Sequence, residues 1–432
     1  MILKNIEEYQ NIVIFGAGEG NIFRWLMNQY SVKVSVIIDN DKKKWGKEIM
    51  GKRIEAPSYL THFSKEDTVV ILSLYRHWES VRQQIKDLGW EDNFIIARKE
   101  LDSVNSFEFA LFERGIEVSN LSPIFLNVEL SGICNCRCIY CPFHGYQNIK
   151  EGQKGLMSWD TLKEVVSQIK DIHTIKKLST VGNGEVFVHP EWYEMVKYIL
   201  KETHIRSINI YTNGMLLNES NIRKILSLEV DDLELEISID GRTPEENDSY
   251  RMGSKYETIR SNIRKLCSIE KEMGRKINLI ITNCYPIRPN EVGKMESKMN
   301  LQYAEIPEYL RKDFPDVTIV SKYTYICKRK NDNNFGGLKV VRVEYPEGYT
   351  KRCTNMFCRM AINNMGELLR CSCGYAGIRG IGGVYENNLL DLWKNDKQMN
   401  LAREHFVKGD AAPDCCDGCI GKGIGEYYLM LE

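Results

Sequence analysis

From Ile124 to about Val343 the sequence repeats one pattern, a short apolar run followed by a longer amphipathic one. "IFLNVELS" reads as a strand and "SWDTLKEVVSQIK" as a helix. "LSTVGNGE" then precedes "HPEWYEMVKYILKE", "SINIYTNG" precedes "NIRKILSL", and "DLELEISIDG" precedes "YETIRSNIRKLCSIEKEMG", before "INLIITNC" opens a weaker continuation. Strands that alternate with helices imply a parallel sheet with right-handed crossovers, closed or partly closed into a barrel. In such a barrel the loops after the strands emerge on one face, where active sites collect.

Two further regions flank this repeat, so the expected organisation is α/β in three parts. Residues 1–100 hold a smaller alternation: "NIVIFGAGEGN" is a strand entering a glycine-rich turn, and "IFRWLMNQY" has helical periodicity. "VKVSVIIDND", "DTVVILSL" and "NFIIAR" are strands, and "WESVRQQIKDLG" is a helix ending in glycine. This is a half-size Rossmann-like arrangement. Residues 101–123 read as a linker, 124–343 as the main repeat, and 344–432 as a cysteine-rich extension stapled by metal.

The chain has 432 residues, enough for two or three domains, and 58 basic side chains nearly cancel 59 acidic ones. That balance argues against a nucleic-acid partner. No apolar run approaches the ~20 residues of a membrane span, and the N-terminus lacks the apolar core of a signal peptide, so a cytoplasmic protein is expected. In that reducing compartment the 14 cysteines point to metal rather than to disulfides.

The first strand of the main repeat runs into "GICNCRCIYCPF", which places Cys134, Cys136, Cys138 and Cys141 within eight residues. A zinc site, a disulfide cluster or an iron–sulfur site could use them. Structural zinc usually takes two pairs separated by a longer loop. Cys134-x3-Cys138-x2-Cys141 instead offers three ligands and leaves Cys136 over. Three thiolates can hold three irons of a [4Fe–4S] cube and leave the fourth open to a bidentate small molecule.

This C-x3-C-x2-C loop after the first strand resembles that of the radical S-adenosylmethionine (SAM) superfamily. The resemblance implies a partial (β/α)6 barrel and a [4Fe–4S] cluster whose open iron chelates SAM. It also implies a flavodoxin- or ferredoxin-type electron donor and reductive cleavage of SAM to a 5′-deoxyadenosyl radical. Further stretches resemble the family's SAM contacts. "VGNGE" supplies Gly182, Gly184 and Glu185, departing from the family pattern by the intervening Asn183. Its Gly184 is expected to let backbone approach the ligand. "SIDG" followed by "SYRMG" supplies Ser238 for the ribose and Arg251 for the SAM carboxylate, and Tyr140 matches the aromatic near adenine. "YTNG" ends the third strand as the family usually does. By the family spacing Cys136 points away from the cluster.

"CRMAINNMGELLRCSC" carries C-x7-G-x4-C, with Gly366 turning a hairpin, and "DCCDGC" carries a later C-x2-C. The pair resembles the SPASM extension, and the absence of cysteines after Cys419 resembles its shortened twitch form. That resemblance implies one auxiliary [4Fe–4S] cluster on Cys358, Cys371, Cys416 and Cys419, with Cys353, Cys373 and Cys415 as alternates. Four-thiolate zinc fits the same residues. Cys267, Cys284 and Cys327 lie in apolar or strand-like contexts and are expected to be buried structural thiols.

In "GAGEGN" the third glycine of the dinucleotide fingerprint is displaced. Gly16 and Gly18 could still receive a phosphate, and Asp39 a ribose hydroxyl, so a nucleotide site and a docking domain that keeps the fold are both open. The opening stretch resembles small domains attached to enzymes of sugar and polysaccharide assembly. The expected function is redox modification, dehydrogenation or epimerisation, of a sugar or nucleotide-linked small molecule. The alternatives are a peptide maturase forming crosslinks or epimers in a ribosomally made peptide, and a non-catalytic metal-binding scaffold.

Overall fold

A computed structural model describes residues 9–16, 34–49, 52–72, 78–91, 95–97, 122–141, 143–145, 155–292, 304–326, 338–344, 355–370, 380–408 and 425–431. Contacts divide the chain into two units, Met1–Leu121 and Ser122–Glu432. Both are α/β.

In the first unit β1 (Asn11–Phe15) lies between β2 (Val34–Ile38) and β5 (Thr68–Leu72), parallel to both. β6 (Ile95–Ala97) extends the sheet beyond β5, and β4 (Lys52–Glu55) extends it beyond β2. The helix α1 (Trp78–Asp87) is followed by Gly89 in the left-handed region. Val13, Phe15, Val70, Leu72, Ile85 and Trp90 form the core. The hairpin of β3 (Glu48–Ile49) with β4 is absent from the sequence reading, because β4 is charged apart from its one buried residue, Ile54. The expected helix over "IFRWLMNQY" lies outside the described residues.

The second unit is built on six parallel strands in chain order: β7 (Phe125–Val128), β9 (Lys177–Ser179), β10 (Ser207–Thr212), β11 (Asp232–Ser238), β13 (Asn278–Tyr285) and β14 (Thr318–Tyr323). Short two-residue strands β8 (Arg137–Cys138) and β12 (Arg251–Met252) pair with each other. The crossovers carry α2 (Trp159–Ile169), α3 (Trp192–Glu202), α4 (Glu219–Leu226), α5 (Pro244–Tyr250), α6 (Tyr256–Met273) and α7 (Glu308–Asp313). Ser158, Asn218 and Thr243 cap α2, α4 and α5 by accepting from backbone N–H groups in the first turn. Leu233, Leu235 and Ile237 of β11 are buried, while Glu234, Glu236 and Ser238 alternate with them on the opposite, half-buried face. A parallel strand covered by apolar packing on both faces would read as a continuous apolar run. Here one face of the sheet is polar.

The C-terminal region joins this sheet. β15 (Tyr325–Ile326), β16 (Lys339–Glu344) and β20 (Gly425–Met430) form a small antiparallel sheet, and backbone bonds tie Leu429 to Ile287 and Thr324. α8 (Asn355–Cys358) leads into β17 (Arg359–Ile362), which pairs in parallel with β7 on its free edge. β18 (Glu367–Leu369) and β19 (Gly382–Gly383) follow antiparallel, with Gly366 at φ +80° in the turn. The expected two helices are α9 (Leu389–Asn395) and α10 (Lys397–Lys408). No described helix is long and apolar enough to cross a membrane.

Gln168 on α2 joins the crossover layer to the C-terminal region. Its Nε2 donates to Val384 O at 2.8 Å, and its Oε1 accepts from Leu389 N at 2.9 Å. Replacing Gln168 with Ala strips both groups of their partner, which should cost about 1–3 kcal/mol. Urea unfolding of the two proteins checks this, and an unchanged midpoint would count against the bridge.

Candidate functional site

Everything expected of the cysteine loop depends on how its backbone is held. The loop leaves β7 and is pinned to the glycine segment after β9: Glu185 N donates to Ile133 O at 2.9 Å. A Cβ at Gly184 would stand 2.2 Å from Ser131 O and 2.6 Å from Ile133 O. Glycine is required there because a side chain would collide with the cysteine loop's own backbone. Gly182 is equally constrained, since its Cβ would meet the Glu129 side chain at 2.6 Å.

The four loop thiols are free, with Cys134, Cys138 and Cys141 half-buried and Cys136 buried. Cys136 donates its N–H to Cys134 Sγ at 3.4 Å. Hydrogen bonding from Cys136 is the largest cause holding the Cys134 thiol down at about 6, helped by the Arg251 charge. Burial pushes Cys138 up to about 12 and raises Cys141. Among the described residues no group of three acidic, histidine or cysteine side chains is set to hold a single metal ion. A cube suits the loop better, because each thiolate then binds a different iron. Arg251 adds a positive charge that favours the thiolate form of Cys134, Cys138 and Cys141.

Arg251 faces Cys138 across the β8–β12 pair and is ion-paired with buried Asp240 at 2.8 Å. Its Nε has no hydrogen-bond partner. Asp240 accepts from the Tyr140 hydroxyl and from Cys284 N, and its own N–H donates to Asn247. The Tyr140 ring packs against Leu429 of β20. Asp240 is the residue the sequence reading missed: it stood in "SIDG", but no local pattern marks it as the anchor of two distant partners.

Glu185 is buried, and its carboxylate accepts from Thr212 Oγ1 and Asn213 N at the end of β10. It braces the loop from below. Asn213, also unmarked in the sequence, extends the same brace by donating to Asn135 at 2.7 Å. Ser238 ends β11 half-buried. Gly182, Gly184, Ser238, Arg251 and the cysteines therefore gather at the C-terminal ends of β7, β9 and β11.

Cys358 is buried at the end of α8, while Cys371, Cys416 and Cys419 and the alternates Cys353, Cys373 and Cys415 lie outside the described residues. Cys267 and Cys284 are half-buried, and Cys327 lies outside. In the first unit Gly16 takes φ 101°, and Gly18 lies outside. Asp39 is ion-paired with Lys44 at 2.9 Å and accepts from Asp41 N.

The family model described as "Radical SAM superfamily" matches residues 128–281, and one described as "C2185-like, N-terminal" matches residues 8–96. The mycofactocin maturase MftC of Mycobacterium tuberculosis is 25% identical over 187 residues, 43% of this chain and 44% of that protein. The match thus spans less than half of this curated relative. A tungsten-containing aldehyde ferredoxin oxidoreductase cofactor-modifying protein of Pyrococcus furiosus is 24% identical over 324 residues, 68% of this chain and 86% of that protein. Among solved structures, Streptococcus suis SuiB bound to S-adenosylmethionine is 16% identical with a TM-score of 0.43, covering 75% of this chain and 77% of that one.

Two predictions follow from the site's packing. Gly184→Ala forces its new Cβ into backbone and should destabilise the protein by about 1–3 kcal/mol; a thermal melt matching the parent would refute that. Burial holds Glu129 and Glu185 at about 7, above the ordinary 4.5. The folded chain therefore keeps protons that the unfolded chain releases between these values, so stability is greatest below 4.5 and falls as pH rises through about 7. Denaturation of metal-free protein across that window should show the decline, with a shallower slope in Glu129→Gln.

Proposed function

We propose that this chain, a member of the radical SAM superfamily through its residues 128–281, is an oxidoreductase acting on a polar small molecule. Cys134, Cys138 and Cys141 would hold a [4Fe–4S] cluster that binds SAM at its open iron. The cysteine loop carries this reading: three ligand thiols on one braced turn, beside a buried arginine. When bound, cluster and SAM supply a 5′-deoxyadenosyl radical that removes a hydrogen atom from substrate.

The protein's own groups bind and orient. The Gly182–Gly184 segment borders the SAM site with its backbone. Ser238 offers a hydroxyl to the ribose. The unpartnered Nε of Arg251 suits the SAM carboxylate, and Asp240 fixes the guanidinium for it. Tyr140 lines the adenine side. Glu185 supports the loop from beneath. An electron donor of flavodoxin or ferredoxin type completes the system. Residues 344–432 form the auxiliary part, with Cys358, Cys371, Cys416 and Cys419 as ligands of a second cluster.

The half-buried face of the sheet favours a hydroxyl-rich substrate such as a sugar or its nucleotide-linked form. Glu234 there accepts from Asn209 and Asn278. Glu236 accepts from Thr282, and Arg359 reaches across from β17 to Asn127 at 3.3 Å. Reaction with such a substrate would be dehydrogenation or epimerisation. The relative described as a maturase supports a second reading, modification of a peptide.

Anaerobically reconstituted protein given SAM and a reductant should release 5′-deoxyadenosine, and Cys134→Ala should abolish the release. Reconstituted protein that binds iron yet forms no 5′-deoxyadenosine would refute the reading. Cys136→Ala should retain cleavage.

A further inference from the structure

Cys284 is a thiol on the polar face of the sheet that belongs to neither cysteine motif. Along β13 half-buried residues alternate with buried ones, so Ile280, Thr282 and Cys284 share one face. Thr282 fixes which face this is. It stands opposite Ser238 of β11 in register, and its hydroxyl donates to Glu236 at 2.6 Å. Cys284 follows two residues later, roughly 7 Å further toward the C-terminal end of the strand.

Its surroundings tie it to the same end of the site as Arg251. Cys284 N donates to Asp240 Oδ1 at 3.2 Å, and Asp240 Oδ2 accepts from Arg251 at 2.8 Å. Lys322 of β14 lies opposite Cys284 in register, and the ladder continues past it, since Thr324 N donates to Tyr285 O at 2.9 Å. Thr324 is 4% exposed, and its Oγ1 has no hydrogen-bond partner among the described residues. A buried hydroxyl left unmet is costly, so this end of the face suits a polar ligand. The Cys284 thiol is half-buried, and burial pushes it up to about 12, so at neutral pH it keeps its hydrogen.

A sulfur–hydrogen bond is weaker than most carbon–hydrogen bonds. A thiol therefore gives its hydrogen atom readily to a carbon radical, which hydroxyl and ammonium groups do not. We propose that Cys284 is the hydrogen-atom donor to the substrate radical, which makes the reaction an epimerisation rather than a dehydrogenation. The inference rests on the radical reading of the site and narrows its two outcomes to one. Once a substrate C–H bond has been broken and its hydrogen has left in 5′-deoxyadenosine, the carbon is one hydrogen atom short. Cys284 supplies that atom, so an S–H bond breaks and a new C–H bond forms. Delivery to the face opposite the one that lost hydrogen gives the epimer. The thiyl radical left on sulfur takes one electron from the flavodoxin- or ferredoxin-type donor and one proton from solvent, and the thiol is restored. The substrate is neither oxidised nor reduced.

Uncoupled SAM cleavage tests this without a known substrate. Reconstituted protein is run with SAM and reductant in D2O, where its thiols carry deuterium, and the 5′-deoxyadenosine is analysed by mass spectrometry. With no substrate present, the deoxyadenosyl radical is itself the carbon radical that the thiol can quench. The parent should put solvent deuterium into the 5′-deoxyadenosine it forms. Cys284→Ser, whose hydroxyl does not donate a hydrogen atom, and Cys284→Ala should each lose that deuterium. In a separate binding measurement on the reconstituted parent, N-ethylmaleimide should label Cys284, and SAM without reductant should slow the labelling. Deuterium absent from the parent or retained in both variants overturns the inference, as does labelling that SAM leaves unchanged. Iron lost from both variants overturns it as well, because a hydrogen donor is not needed to build the cluster. Parent protein that loads iron yet forms no 5′-deoxyadenosine sinks the radical reading, and the inference with it.

Discussion

The pairing of β17 with β7 is the contact on which the rest of the second unit depends. β7 is the first parallel strand and carries the cysteine loop, and with only β9 beside it one edge of its backbone would be unpaired. An open edge on a buried strand is costly in unmet N–H and C=O groups and invites wrong pairing. β17 returns 230-odd residues later to cover it, in register from Arg359 opposite Phe125 to Ile362 opposite Val128. The same strand brings Arg359 to the polar face of the sheet, and it begins where Cys358 ends α8. One backbone ladder therefore fixes the strand that carries the cysteine loop and the strand that follows Cys358 relative to each other.

Around that ladder the loop is held by buried polar groups rather than by apolar packing alone. Asp240 collects Arg251, Tyr140 and a strand N–H; Glu185 collects the end of β10; Glu129 supports the glycine segment through Asn183 N. Buried networks of this kind tolerate little substitution because each lost partner leaves another group unmet.

Much of this was legible in the sequence. Strand-and-helix alternation pointed to the parallel sheet, since the helical runs between the strands were long and their period clear. Gly366 was marked by its place between two thiols, and it does sit at φ +80° in a hairpin turn. What stayed hidden was set by contacts distant along the chain. Asp240 reads as an ordinary strand-end aspartate until Tyr140 and Arg251 meet it. That Gly184 must clear the backbone of Ser131 and Ile133 is likewise unwritten in its own neighbourhood. The N–H of Cys136 finds Cys134 Sγ only once the loop is folded. Cys284 sits in "INLIITNC" as any strand cysteine would, and only the fold shows which face it takes.

The contact of Tyr140 with Leu429 has a consequence for the order of assembly. Tyr140 belongs to the cysteine loop, whereas Leu429 lies on a strand translated long afterwards. While the ribosome is still at work the loop lacks β17 on its strand and β20 on its tyrosine, and its thiols stand more open to solvent and oxidants than in the finished fold. Iron loaded then would enter a half-walled cup. The wall around the loop is completed only when the later strands arrive.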